Sequence, residues 1–266
     1  AHTAPHTPLR VAKRFRGQSK KGRYGDVIEA MDWSTGEILS TLHREGIDDR
    51  TLVIFLSDNG PSKHNRHLQG PRKFRGSKGS TLEGGVRVPC IMRWPGAIPA
   101  GQDCDEVATI MDFLPTWAAL AGGSSPGDRT VDGKDIWPLM AGTPGATSPH
   151  QAMYYYKSRQ LHGVRKGPWK YVVPNQFSSG GLFHLPTDPL EKVDVRKAHP
   201  GMVIEMESLL VTQKKRMAGG DQHFVDLLRN AKQYGFSDKR LAFLWEVTEK
   251  DIRELRQKHE IRPVYK

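Results

Sequence analysis

A chain of 266 residues can hold one large domain or two modest ones and bury a real core. With 37% hydrophobic and 26% charged residues, and no apolar run near the roughly 20 residues of a bilayer span, it reads as soluble and globular without a membrane segment. The net charge of +11 favours an anionic partner, and two cysteines, Cys90 and Cys104, allow at most one bridge and leave the compartment open.

The first residues, Ala1-His2-Thr3-Ala4-Pro5-His6, show neither an initiator Met nor a basic segment running into an apolar one, so no secretory signal is expected and the start reads as cut. Residues 10–23 carry seven Lys or Arg and no acid, and residues 63–78 carry six more, again with no acid; either a solvated face or an anion-binding surface fits them. Tyr24, Val27, Ile28, Met31, Thr35, Ile38, Leu39 and Leu42 recur at helical spacing, and Gly46 ends that helix. Residues 51–56 form a short apolar run that predicts a strand buried on both faces of a parallel sheet. After a loop rich in Gly, Lys and Arg over 60–85, residues 86–94 predict a second strand, which Pro89 confines to an edge or a bulge. Asp112 is expected to cap a helix over 113–121, with Pro115 tolerated in its first turn.

Residues 122–149 are rich in Gly, Pro, Ser and Thr and read as a long surface connection. Three short strands over 154–156, 163–173 and 182–185 then predict a small antiparallel sheet. Val203, Met206, Leu209 and Leu210 space out a further helix. Gly219-Gly220 marks a break, beyond which Leu227, Leu228, Ala231, Leu241, Ala242 and Leu244 predict a helical tail interrupted at Gly235, and Thr248-Glu249-Lys250-Asp251 reads as a capping box.

Two stretches carry candidate chemistry. The 51–56 strand ends in Ser57-Asp58-Asn59-Gly60, where a carboxylate and an amide oxygen at a strand's carboxyl end can hold a hard cation, although Asp-Asn-Gly is equally a common turn. In Arg75-Gly76-Ser77-Lys78-Gly79-Ser80-Thr81-Leu82-Glu83-Gly84-Gly85, glycines permit close backbone approach and Lys78 can neutralise an oxyanion, or the stretch is simply a flexible basic loop. Its glycine spacing does not match a phosphate-binding P-loop.

Together these stretches resemble the sulfatase family, the arylsulfatase-like branch of the alkaline phosphatase superfamily. The resemblance rests on Ala4-Pro5-His6-Thr7-Pro8, Tyr24-Gly25-Asp26, Met31-Asp32-Trp33, Ser57-Asp58-Asn59-Gly60, the run from Lys78 to Pro89, Trp94-Pro95-Gly96, Asp112 with Pro115-Thr116, Val164-Arg165, Trp169-Lys170-Tyr171, Leu182-Phe183-His184-Leu185, Asp188-Pro189 and Glu191. It covers about residues 1–217 and implies the C-terminal half of such an enzyme. The implied fold is α/β, a partial alkaline-phosphatase-like sandwich over 1–149, a small antiparallel subdomain over 150–217 and a helical tail over 218–266.

What the resemblance implies for the site is specific. Asp58 and Asn59 become calcium ligands, Lys78 contacts the sulfate group, and His6 sits at the sulfate, where it assists the leaving group. His2, His64 and His67 lack such support. Family catalysis uses a formylglycine made from cysteine in a Cys-x-Pro/Ala-x-Arg motif, and this chain has none: Cys90 and Cys104 both lack the needed arginine. Two further aspartate ligands also belong to the absent half, and two ligands hold calcium poorly where six to eight oxygens are usual. The expectation is therefore a sulfuric ester hydrolase by descent, inactive alone, whose intact parent is periplasmic or extracellular and takes a sulfated small molecule or glycan. Rival readings are a non-catalytic binder of sulfated or other anionic glycans and a phosphatase or phosphodiesterase of the same superfamily.

Residues 224–266 resemble instead the large chain of carbamoyl phosphate synthetase, at the opening of its helical oligomerisation domain. That implies a chimera or joined gene and self-association through the tail. The tail's near-balanced charge argues against nucleic acid as a partner.

Overall fold

The computed structural model describes residues 2–63, 73–158, 160–174, 179–218, 222–233, 235–245 and 247–262. Within them the chain divides into two units that interleave along the sequence. One comprises Ala1–Glu106, Trp137–Thr147 and Pro189–Glu191; the other comprises Val107–Ile136, Ser148–Asp188 and Lys192–Lys266.

In the first unit, helix α1 (Gly22–Arg44) realises the predicted period. It ends as the glycine suggested: Gly46 takes φ +64° and donates to His43 O at 3.1 Å, while Ile47 donates to Leu42 O at 3.1 Å. Only Gly25, Asp26 and Val27 of this helix are buried, and Ile28, Trp33 and Ile38 stay exposed.

Strand β1 (Val53–Leu56) departs from expectation. It pairs antiparallel with β2 (Cys90–Arg93), from Val53↔Arg93 to Leu56↔Cys90, and it is half-buried. An apolar run of this length does not encode strand direction: residues 57–89, which include one helical turn, α2 (Glu83–Val86), are long enough for a parallel crossover, yet β2 comes back antiparallel. The predicted 86–94 strand shortens to the four residues after Pro89, and Cys90 and Ile91 face solvent, as suits an edge. Asp48 receives both guanidinium nitrogens of Arg93, at 2.5 and 2.7 Å, which pins the residues before β1 to the end of β2.

The second unit opens with α3 (Phe113–Leu120). Asp112 does not cap it. Its carboxylate turns back to accept the Thr109 N–H at 2.6 Å and takes the Lys134 N–H at 2.8 Å, so the capping box belongs to the preceding 3₁₀ turn. The 122–149 connection is not wholly superficial either: Ile136 is buried, and past it, back in the first unit, α4 (Trp137–Met140) buries Met140.

The small sheet has four strands where three were expected: β3 (Met153–Lys157), β4 (Gln160–Lys166), β5 (Trp169–Val172) and β6 (Gly181–His184), each antiparallel to the next. Gly167 at φ +52° folds the predicted 163–173 strand into two, a turn that the β-favouring residues on either side disguise. Helix α5 (Pro200–Ala218) lies on β4 and buries Met206 and Leu210 against Val164, Tyr171 and Leu182.

Three helices follow, α6 (Gln222–Gln233), α7 (Asp238–Trp245) and α8 (Glu249–Lys258), around Val225, Leu228, Leu241, Ala242, Ile252 and Ile261. Gly235 at φ +84° separates the first two. Thr248 and Asp251 form the expected capping box, with Asp251 N–H to Thr248 Oγ1 at 3.1 Å and Thr248 N–H to the Asp251 carboxylate at 2.8 Å. The Gly219-Gly220 break, His64, His67, Pro263 to Lys266 and the side chains of Leu227 and Leu244 lie outside the described residues. Among the described residues no helix is long and apolar enough to cross a membrane.

Candidate functional site

Three main-chain hydrogen bonds bring the two candidate stretches side by side. Ser57 N–H donates to Pro89 O at 3.3 Å, Gly60 N–H to Gly85 O at 3.0 Å, and Lys78 N–H to Pro61 O at 2.9 Å. The segment leaving β1 is thus laced to the glycine loop, and Asp58-Asn59 and Lys78 share one loop cluster. Gly60 is required by that contact, because a Cβ there would stand 2.0 Å from Gly84 O. Ser57 Oγ donates to Asn59 O at 2.9 Å and tightens the turn that carries Asp58 and Asn59.

The glycine loop is a folded object, not the flexible basic loop its composition also allowed. Gly76 and Gly79 take φ +100° and +84°, conformations that side chains disfavour, and Ser80 N–H, Gly84 N–H and Gly85 N–H close successive turns on Ser77 O, Arg75 O and Leu82 O. Ser77, Thr81 and Glu83 are buried beneath it while Lys78 projects to solvent. A clasp from far along the chain holds the loop's base: buried Glu191, at φ +51°, accepts the Glu83 N–H on Oε2 at 2.7 Å, and its carbonyl accepts Arg75 Nη1 at 2.5 Å.

Asp58 is exposed and Asn59 half-buried. Their oxygens are of the hard type that calcium takes, but among the described residues no group of three or more His, Cys, Asp or Glu gathers for a metal, so two donors do not close a calcium shell. His6 lies on an exposed turn, its Nδ1 2.7 Å from Thr7 O, and among the described residues no hydrogen bond joins it to Asp58, Asn59 or Lys78. His2 is exposed as well. Cys90 and Cys104 are free and exposed, and neither lies in a formylglycine motif, so neither fits that cofactor.

Two features escaped the sequence reading. One is the Glu191 clasp, whose partner Glu83 is 108 residues away. The other is Asp112 with His150, which meet at Nε2···Oδ1 2.8 Å across 38 residues with both side chains buried. Local spacing cannot signal either pairing.

Three family profiles match the chain. A profile of the family described as Sulfatase matches residues 1–124, and one described as N-sulphoglucosamine sulphohydrolase, C-terminal, matches 77–216. A third, the oligomerisation domain of the carbamoyl-phosphate synthetase large chain, matches 203–260. Steryl-sulfatase of Homo sapiens is 41% identical over 194 residues, which is 67% of this chain and 33% of that one. A solved structure described under metabolism of multiple glycosaminoglycans by Bacteroides thetaiotaomicron is 30% identical with a TM-score of 0.66, covering 80% of this chain and 49% of its own. Ps i-CgsB, solved in complex with a k-i-k-neocarrahexaose, is 29% identical with a TM-score of 0.67, covering 79% and 48%. The chain spans about a third of the length of the curated relatives it matches.

Proposed function

The chain belongs to the sulfatase family, and from that premise we propose that it supplies the sulfate-binding lysine and part of the calcium shell of a sulfuric ester hydrolase. The observation that carries this reading is the lacing of 57–61 to 78–89, which sets one cation and two hard oxygen donors on neighbouring loops. Lys78 Nζ neutralises a sulfate oxygen as a mobile point charge, and its glycine neighbours let the ester approach the backbone. His6 holds or delivers a proton at the leaving oxygen. Asp58 and Asn59 would hold part of a calcium shell, and the cation would supply positive charge for the sulfate oxygens. No nucleophilic step is assigned, because neither cysteine fits formylglycine, and the isolated chain is expected to be inactive.

A glycan substrate is the reading that the solved neighbours favour, one named for glycosaminoglycan metabolism and one solved with a neocarrahexaose. The test is an aryl sulfate assay on the purified chain with calcium. No sustained turnover is expected, and turnover abolished by Lys78→Ala would show that the nucleophile is present after all.

The tail belongs to a separate proposal. The two C-terminal profile matches overlap at 203–216, inside α5, which supports reading the chain as a join of two families within one continuous helix. We read the tail as an assembly element joined to a sulfatase segment.

A further inference from the structure

The seven cations of residues 10–23 are unused by the site above, and all seven are exposed. Among the described residues none forms an ion pair with a carboxylate. The first acid in the sequence, Asp26, is only 4% exposed; its oxygens accept Gly17 N–H and Ser19 N–H, each at 2.9 Å, and it feels Arg23 only through space.

That clamp makes the array a fixed surface and not a loose tail. Asp26 draws the 17–19 segment onto the first turn of α1, and Gly25 admits it, since a Cβ there would meet Ser19 Oγ at 2.1 Å. Lys20, Lys21 and Arg23 therefore stand on a braced ridge at the start of α1. That turn has no acid and no side-chain cap, so the helix dipole adds to their positive potential. Like charges held together without counter-charge repel one another, and a polyanion relieves the repulsion.

The chemistry of the ridge selects among polyanions. Cations are spread along it with no burial around them, which suits a polymer of repeated anions more than one small oxyanion. Its aromatic residues are engaged already: Arg14 lies 3.6 Å from the Trp33 ring centroid, and Phe15 packs on Trp33 at 5.6 Å. Trp33 keeps 42% of its surface exposed, but Arg14 already lies over its ring, so a stacking base would have to displace a cation. We propose that residues 10–23 form a docking surface for a sulfated polysaccharide, separate from the Lys78 loop. The choice of sulfate among anions rests on the sulfatase reading; the surface itself does not.

The experiment measures heparin affinity of the full chain at physiological salt. Lys20→Glu, Lys21→Glu and Arg23→Glu together should weaken binding at least tenfold. Lys192→Glu, Lys197→Glu and Lys214→Glu, exposed sites with the same change in charge, should weaken it less than threefold. Equal losses overturn the proposal by reducing the effect to net charge, and so does equal affinity for desulfated heparin or duplex DNA. Should the first variant fail to fold, amine acylation of the unaltered chain decides: heparin should protect Lys20 and Lys21 but not Lys192 or Lys197, and uniform protection overturns it. If Lys78→Ala abolishes retention while the ridge variant keeps it, the docking surface is wrong and the sulfatase reading stands.

Discussion

At Gly60 the backbone itself is the constraint. A methyl group would meet Gly84 O at 2.0 Å, and neither partner is a side chain that can swing away. Gly60→Ala should therefore cost about 1–3 kcal/mol, the usual range for overpacking, and should loosen the lacing of Asp58-Asn59 to Lys78. Chemical denaturation of the full chain measures the first effect, and amide exchange at Gly60 and Lys78 the second. Asp112 is constrained differently: fully buried, it satisfies the Thr109 and Lys134 N–H groups and His150 Nε2 at once. Removing a carboxylate that serves several buried donors leaves them unpaired, so Asp112→Ala should lose about 2–4 kcal/mol, read as a lower midpoint in urea. A loss below about 0.5 kcal/mol would mean that water replaces the carboxylate.

Among the elements, the tail joins its helices by charge as well as by apolar packing. Asp238 is paired with Lys232 at 3.0 Å and Arg256 at 3.3 Å. Burial raises the Asp238 pKa, but hydrogen bonding and attraction to Lys232, with Arg256 assisting, outweigh it and leave the carboxyl below its ordinary value. A carboxyl depressed in the folded state stabilises above its unfolded pKa of about 3.9, and that stability is lost as pH falls through the lower folded value. Acidification from pH 5 toward 2 should thus lower the amide protection factors of α6, α7 and α8, after correction for the slower intrinsic exchange in acid. Asp238→Asn should remove the pH-dependent part that this group contributes. The same elements show what the sequence could and could not express. The α1 period, the Thr248 capping box and the Gly235 break are local, and each is visible in a few residues. Strand direction at β1 and the contacts of Asp112 with Lys134 and His150 depend on partners elsewhere in the chain, whereas the turn at Gly167-Pro168 is local and was masked by the β-favouring residues around it. Asp58, Asn59 and Lys78 were legible by type and order, whereas Glu191, which clasps the loop base, was not legible as a support.

For the whole molecule, the sulfatase match and the carbamoyl-phosphate synthetase match overlap within α5. The tail has its own apolar centre yet leaves Phe236 and Val247 41% and 43% exposed and Phe243 73% exposed. Arg240 lies 5.3 Å from the Phe243 ring centroid, a contact that leaves most of the ring in water. Large apolar side chains left exposed on the tail favour association, because their burial releases about 25 cal/mol for each Å² removed from water. Sedimentation velocity of the full chain should therefore show a concentration-dependent oligomer. Phe243→Asp should return it to monomer without altering the far-ultraviolet helical signal, since that side chain is not part of the tail's core. An unaltered chain that sediments as monomer throughout the micromolar range removes the assembly role from the tail. The heparin comparison stands whatever that outcome, because both charge variants keep the same tail.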